Sequence, residues 1–320
     1  MNNLWQYLQI AGLAVWLGGA IFFLFDLGVF SPQPLDDAPT RQSAFSLPLV
    51  GAVIVLYMML QMAVAAAGAG IGVVPRSMLV PETSPATQPD TTTASATAPA
   101  PSQAENTVIV NGIVAVTVGL TIIPVLLILP RLFRERWSGW GLHLRQLPKG
   151  ILLGLGGLLI IFPILQAFAV GLDEIYRHFL QHGMSEHATF EAMNEPLSPG
   201  GQCVLIFGAI IVAPIYEEIF FRGIIQTTLI QYGWGLVLPQ WGRWGGIPTG
   251  YRPSALHRWG GILVTSAAFA GMHQWDQAPI IFILSLALGY VYERTGNLWA
   301  AIALHMAFNS MEVAAYFTSA

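Results

Sequence analysis

The chain has 320 residues, 54% of them apolar and only 9% charged, with a formal net charge of −4. That composition excludes an ordinary soluble domain and describes an all-α, polytopic bundle of transmembrane helices. The small net charge argues against a nucleic-acid partner, and the single cysteine, Cys203, excludes an intrachain disulfide and a thiolate metal cluster.

About 20 apolar residues cross a ~30 Å hydrocarbon core at ~1.5 Å per residue, and the chain offers about eight such segments. They lie near 4–25, 47–73, 108–129, 151–170, 202–230, 260–273, 279–292 and 298–317. The first lacks the basic flank and small-residue cleavage site of a signal peptide, so it reads as a helix that stays. The sixth and seventh are short and separated only by Gln274-Trp-Asp-Gln-Ala. Asp276 and Pro279 are poor helix-interior residues, which favours two helices and a tight turn over one broken helix.

Between the second and third segments lies a stretch of Pro, Thr, Ser and Ala from Pro81 to Thr107 without one aromatic residue. It cannot bury enough apolar surface to offset its ordering entropy, so disorder is expected. The chain then divides into an N-terminal hairpin (1–74), a linker (75–107) and a six-helix body (108–320). No internal repeat is visible, which weakens a transporter of duplicated halves.

Lys and Arg set the orientation. Arg131, Arg134, Arg136, Arg145 and Lys149 follow the third segment, and Arg243, Arg252 and Arg258 follow the fifth, so both loops are assigned to the cytoplasm. Alternation puts both termini, the linker and the acidic loop from Leu172 to Gly201 on the outer side, with Arg41 and Glu293-Arg294 inside. The loop from Trp234 to Trp259, rich in Trp and Arg, reads as an interfacial anchor or as a lip guiding a peptide or lipidated tail.

Within this apolar background, Glu217, Glu218 and Arg222 stand inside the fifth segment, where charges are costly and are kept mainly for chemistry or ion transport. Phe269 and His273 stand four apart on the sixth segment, and His305 and Asn309 four apart on the eighth. With the orientation above, Glu217 and His273 both lie ~20 Å from the cytoplasmic end, and His305 and Asn309 at ~12 and ~18 Å. One layer of the membrane can therefore hold all four.

Spacing divides the work. Glu218 precedes Arg222 by four, the favourable order for a helical ion pair, while Glu217 points about 100° away. A carboxylate kept from that pair can act as a general base, and the paired one locks the helix. His305 and Asn309 share a face and both carry N–H donors, the equipment for holding an oxyanion. Pro214 interrupts the helix just ahead of Glu217 and is expected to kink it. Each element has a plainer reading: a structural ion pair, an interfacial His273, and interhelical hydrogen bonding by His305 and Asn309. Their coincidence at one depth favours a site. His178, His182 and His187 suit a solvated acidic loop better than a metal site, and His143 and His257 need no role.

Glu217-Glu-Ile-Phe-Phe-Arg-Gly, then Phe269-x-x-x-His273, then His305-x-x-x-Asn309, in that order on separate helices, resembles the CPBP family of intramembrane proteases. That family includes type II CAAX prenyl endopeptidases and bacteriocin-processing or immunity proteins. The resemblance covers roughly 151–319 and implies an intramembrane endopeptidase. It implies a catalytic Glu217, His273 joining it in activating water, His305 and Asn309 completing the site, and Glu218, Arg222 and Phe269 in support. A peptide or lipidated protein is the implied substrate. Glu217, His273 and His305 could supply three ligands to a catalytic zinc, or the same set could activate water without metal, and the metal-free alternative is slightly favoured. Two rival readings are a non-proteolytic immunity or scaffold protein of the same fold, and a transporter or proton relay through Glu217, Glu218 and His273.

Overall fold

The computed structural model describes residues 18–21, 24–25, 27–29, 31, 35–39, 47–70, 103–132, 140–185, 188–194, 197–232 and 252–319. Among them every regular element is a helix: α1 (Leu47–Gly70), α2 (Gln103–Leu132), α3 (Leu147–Leu180), α4 (Ala188–Met193), α5 (Pro199–Gln231), α6 (Ala255–Ala270), α7 (Ala278–Thr295) and α8 (Leu298–Ser319). Three spans are long and apolar enough to cross a membrane: Leu144–Leu180, Pro199–Gln231 and Leu298–Thr318. The all-helical membrane reading therefore stands, whereas eight crossings are not established. The first expected segment and the Trp-rich loop fall mostly outside the described residues, as does the linker up to 102.

The chain forms two compact units, one of Met1–Val50, Leu126–Ser185 and Ala213–Ala320, the other of Gly51–Val125 and Glu186–Val212. In the second unit Asn111 Nδ2 on α2 donates back to the Thr107 carbonyl at 2.9 Å, and a side chain at Gly201 of α5 would meet Val108 at 3.5 Å. The candidate site lies entirely within the first unit.

In the first unit α3 and α8 pack most intimately. A Cβ on Gly150 or Gly154 would approach Trp299 Cβ at 2.6 Å or Ala303 Cβ at 2.7 Å, so glycine permits this separation there, while at Gly157 it would meet the movable tip of Leu304 at 2.7 Å. Asn297 fixes where α8 begins: its Oδ1 accepts from Trp299 N at 3.1 Å and its Nδ2 donates to the Gln146 carbonyl at 3.1 Å, just ahead of α3. Leu284, Leu288, Tyr292, Leu298 and Leu304 make the buried interior, while Leu152, Leu155, Leu159 and Val170 on α3 remain exposed, an outer surface suited to lipid.

Two boundaries correct the sequence reading. The acidic stretch from Leu172 was expected as a loop, yet α3 continues to Leu180. Arg177 Nε bonds Asp173 Oδ2 at 2.7 Å one turn away, and Gln181 ends the helix in the left-handed region at φ 60°. The sixth segment begins at Ala255 and takes in Arg258, which was expected as a loop charge. Ser254 caps this helix by accepting from His257 N, and its hydroxyl lies 2.6 Å from His257 Nδ1. Arg258 is buried, pairs with Glu293 Oε1, and donates to the Ala38 carbonyl at 3.0 Å. These charges tie α6, α7 and the segment carrying Leu35 and Ala38 together.

Between α6 and α7 the chain turns at 271–277, with Pro279 in the first turn of α7, as Asp276 and Pro279 led one to expect. The turn is clasped to the end of α3. Asp276 Oδ2 accepts from Ser185 N at 2.6 Å, and Gln277 Nε2 donates to the Ser185 carbonyl at 2.8 Å. Trp275 leans on Tyr176, ring centroids 5.6 Å apart.

Candidate active site

The two glutamates sit in an irregular stretch of α5. A π-helical turn at Gly208–Val212 precedes the α-helical Ala213–Glu218, and a second π-helical run spans Ile219–Gln226. Pro214 lacks the N–H an α ladder needs, and a π register passes over the missing donor. The helix is wound irregularly on both sides of Glu217 and Glu218.

Their surroundings differ sharply. The Glu218 side chain is fully buried and that of Glu217 is 23% exposed. Glu218 Oε2 lies 3.2 Å from Arg222 Nε, close enough for an ion pair but out of line for a hydrogen bond. Arg222 is instead oriented by α7 and α6. Its Nη2 donates to Ser285 Oγ at 2.7 Å and to the Ser285 carbonyl at 3.1 Å, and its Cζ stands 4.8 Å from the centre of the Phe269 ring. Ser285 was not singled out in the sequence, because a serine in an apolar helix carries no signal until its partner is known.

His305 joins the two carboxylates. Its Nδ1 lies 2.9 Å from Glu218 Oε1, and its Nε2 faces Glu217 Oε2 at 3.7 Å. The first is a hydrogen bond in which the ring nitrogen donates; the second is too long for a direct hydrogen bond. Glu218 was expected only to lock its own helix. It also orients the imidazole of α8, since its second oxygen is within reach.

Phe269 is the hub around which the histidines turn. Its ring lies 4.8 Å from the His273 ring and 5.9 Å from the His305 ring, and edge-on to Phe221 at 4.9 Å. His273 Nδ1 bonds the Phe269 carbonyl at 2.8 Å. A carbonyl only accepts, so Nδ1 carries a proton, and in the neutral ring Nε2 presents a lone pair. Asn309 is half-buried one turn beyond His305 on α8, on the same helical face.

The donor set does not form a zinc site. Among the described residues no group of three or more His, Cys, Asp or Glu side chains is placed to hold a metal ion. Glu217 and His305 offer two donors 3.7 Å apart, and His273 does not complete a three-ligand cradle with them. His178 and His182, at the end of α3, form no such group either.

Residues 199–311 match a protein family described as type II CAAX prenyl endopeptidase Rce1-like. The match begins at the first turn of α5 and ends past Asn309, so it contains all three motifs, and the CPBP resemblance read from them is borne out over that segment. No curated protein and no solved structure matches the chain.

Proposed function

We propose that this chain is an intramembrane endopeptidase of the CAAX-protease kind, in which Glu217 and His273 activate water and His305 with Asn309 receives the developing oxyanion. The observation that carries the reading is the contrast between two neighbouring carboxylates: Glu218 is sealed against Arg222 and His305, while Glu217 is partly open and faces His305 Nε2. A family match over the same residues supports the reaction class.

The chemistry follows from donors and acceptors. Water attacks the peptide carbonyl carbon as Glu217 takes its proton, with the lone pair on His273 Nε2 orienting the second hydrogen. The carbonyl oxygen becomes an oxyanion, held by the Asn309 amide and by an N–H of the His305 ring. Collapse breaks the C–N bond, and the proton on Glu217 passes to the departing amine. Glu218 and Ser285 touch no reacting atom and act as positioning residues. A peptide or prenylated protein approaching from the membrane or its cytoplasmic face is the proposed substrate.

Purified protein in detergent, assayed by mass spectrometry against farnesylated and plain CAAX-type peptides, tests the reading. Cleavage by the native chain and none by Glu217→Gln is expected. No cleavage by either would favour a non-proteolytic scaffold.

A further inference from the structure

Glu312 stands on α8 within the membrane-spanning stretch Leu298–Thr318, and its role is not explained by the water-activating site. Its Oε1 accepts a hydrogen bond from Gln166 Nε2 on α3 at 2.8 Å. Glu312, unlike Glu217, Glu218 and Glu293, has no cation beside it among the described residues. Glu312 is half-buried, and its Oε2 has no hydrogen-bond partner among the described residues, which leaves an acceptor for a further donor.

Helix geometry puts residue 312 on the face of α8 that carries His305 and Asn309. At about 100° per residue, His305, Asn309 and Glu312 fall within an arc of roughly 60° on α8. Phe308, which meets Phe162 of α3 at 6.2 Å, borders the same arc, so Glu312 stands where the α3 contact meets the catalytic stripe. Fastening α3 to α8 does not call for a carboxylate. The glycines at 150, 154 and 157 already bring the helices together, and a neutral amide at 312 would bond Gln166 without the cost of an ionisable group at membrane depth.

We propose that Glu312 is a substrate-recognition residue whose Oε2 receives a cationic side chain, lysine or arginine, close to the scissile bond. The inference rests on the peptidase reading above and adds a specificity to it. Glu312 lies ~4.5 Å along the helix from Asn309 and ~10 Å from His305. An extended peptide advances ~3.3 Å per residue, so the cation belongs one to three residues from the bond that is cut.

A set of internally quenched apolar peptides, with one lysine walked across the three positions on each side of the bond and norleucine as reference, tests this. The native chain should cleave one lysine peptide roughly tenfold or more faster in kcat/KM than its norleucine counterpart. In Glu312→Gln, which keeps an acceptor for Gln166, that ratio should fall to within about twofold, while Glu312→Asp should retain part of it. Thermal unfolding in detergent verifies that both variants fold. A native ratio near unity at every position, or a ratio unchanged in Glu312→Gln, overturns the proposal. Fluorescence-anisotropy binding of the same peptides to Glu217→Gln, with and without Glu312→Gln, separates the two readings. Lysine-selective binding that needs Glu312, but no cleavage by the native chain of these or of the farnesylated peptides, sinks the peptidase and keeps the recognition site. Equal binding of lysine and norleucine peptides sinks the recognition site.

Discussion

His305 Nδ1 lies 2.9 Å from one oxygen of Glu218, while the other oxygen of the same carboxylate lies 3.2 Å from Arg222 Nε. One buried carboxylate thereby joins α8 to α5, and Arg222 extends the link to Ser285 on α7. Removing its charge has two consequences, an unpaired buried arginine and an imidazole without its anchor.

The neighbouring glutamates should separate accordingly. Glu217→Gln is expected to abolish turnover with little loss of folded protein, because the base is removed and the shape is kept. Glu218→Gln should lose activity and also roughly 3 to 5 kcal/mol of stability, the cost of stranding one partner of a buried pair. Thermal unfolding in detergent beside a turnover assay measures both. Equal midpoints for the two variants would refute the division.

A second buried pair makes an independent prediction. Arg258 and Glu293 are both 1% exposed, and Arg258 also donates to the carbonyls of Ala38 and Pro253. Glu293→Gln should cost about 3 to 5 kcal/mol. Glu293→Gln with Arg258→Met, which removes both charges, should recover much of that loss. A single variant as stable as the native chain would show that the pair contributes nothing.

How much of this was legible beforehand depends on whether a feature is local. Glu218 and Arg222 are four apart on one helix, and Pro214 announces its irregular helix, so both could be read from spacing alone. Ser285 with Arg222 and Glu218 with His305 are 63 and 87 residues apart, and no local pattern marks such pairs. Arg258 and Glu293 misled for a related reason. Charges near the ends of apolar segments look like topology signals, and only the packing of α6 against α7 reveals a buried pair. The extension of α3 past Leu172 was missed because a charged turn held by Asp173 and Arg177 has no apolar run to betray it.

Orientation can be checked directly. If the arginine counts govern insertion, a reporter fused after Arg136 is cytoplasmic and one inserted near Thr92 is external. The reverse pattern would overturn the assignment of the arginine-rich loops to the cytoplasm, and both reporters on one side would overturn the alternation on which the common depth of Glu217, His273 and His305 rests.

The turn that carries His273 gives a pH dependence. Asp276 is buried, which by itself raises its pKa, but hydrogen bonds from the Ser185 backbone and side chain and from the local backbone more than offset this and hold it below the usual carboxylate range. A group depressed in the folded state contributes stability above its unfolded pKa and loses it as pH falls through the folded value. The clasp to Ser185 should therefore be intact at neutral pH and weaken in acid, below about pH 4. Asp276→Asn should cost roughly 1.5 to 3 kcal/mol at pH 7 and a smaller difference near pH 3. Stability curves of the two chains measured across that range should converge in acid; a constant gap would remove Asp276 as the titrating group.

The metal is decided by chelation, because the two mechanisms differ in what they need. A zinc held by Glu217, His273 and His305 would be stripped by a chelator with loss of activity and would appear stoichiometrically in elemental analysis. Water held by Glu217 and His273 alone keeps its reactivity through chelation, and its rate follows a bell-shaped pH profile set by one carboxylate and one imidazole. The geometry leans to the second, since Glu217 and His305 supply two donors and no third group completes a cradle among the described residues. Chelator resistance is therefore expected, with Asn309→Ala lowering kcat on the order of 100-fold through the lost oxyanion donor. Stoichiometric zinc, with activity restored by zinc after stripping, would overturn this and make His305 a ligand whose Nδ1–H is oriented by Glu218.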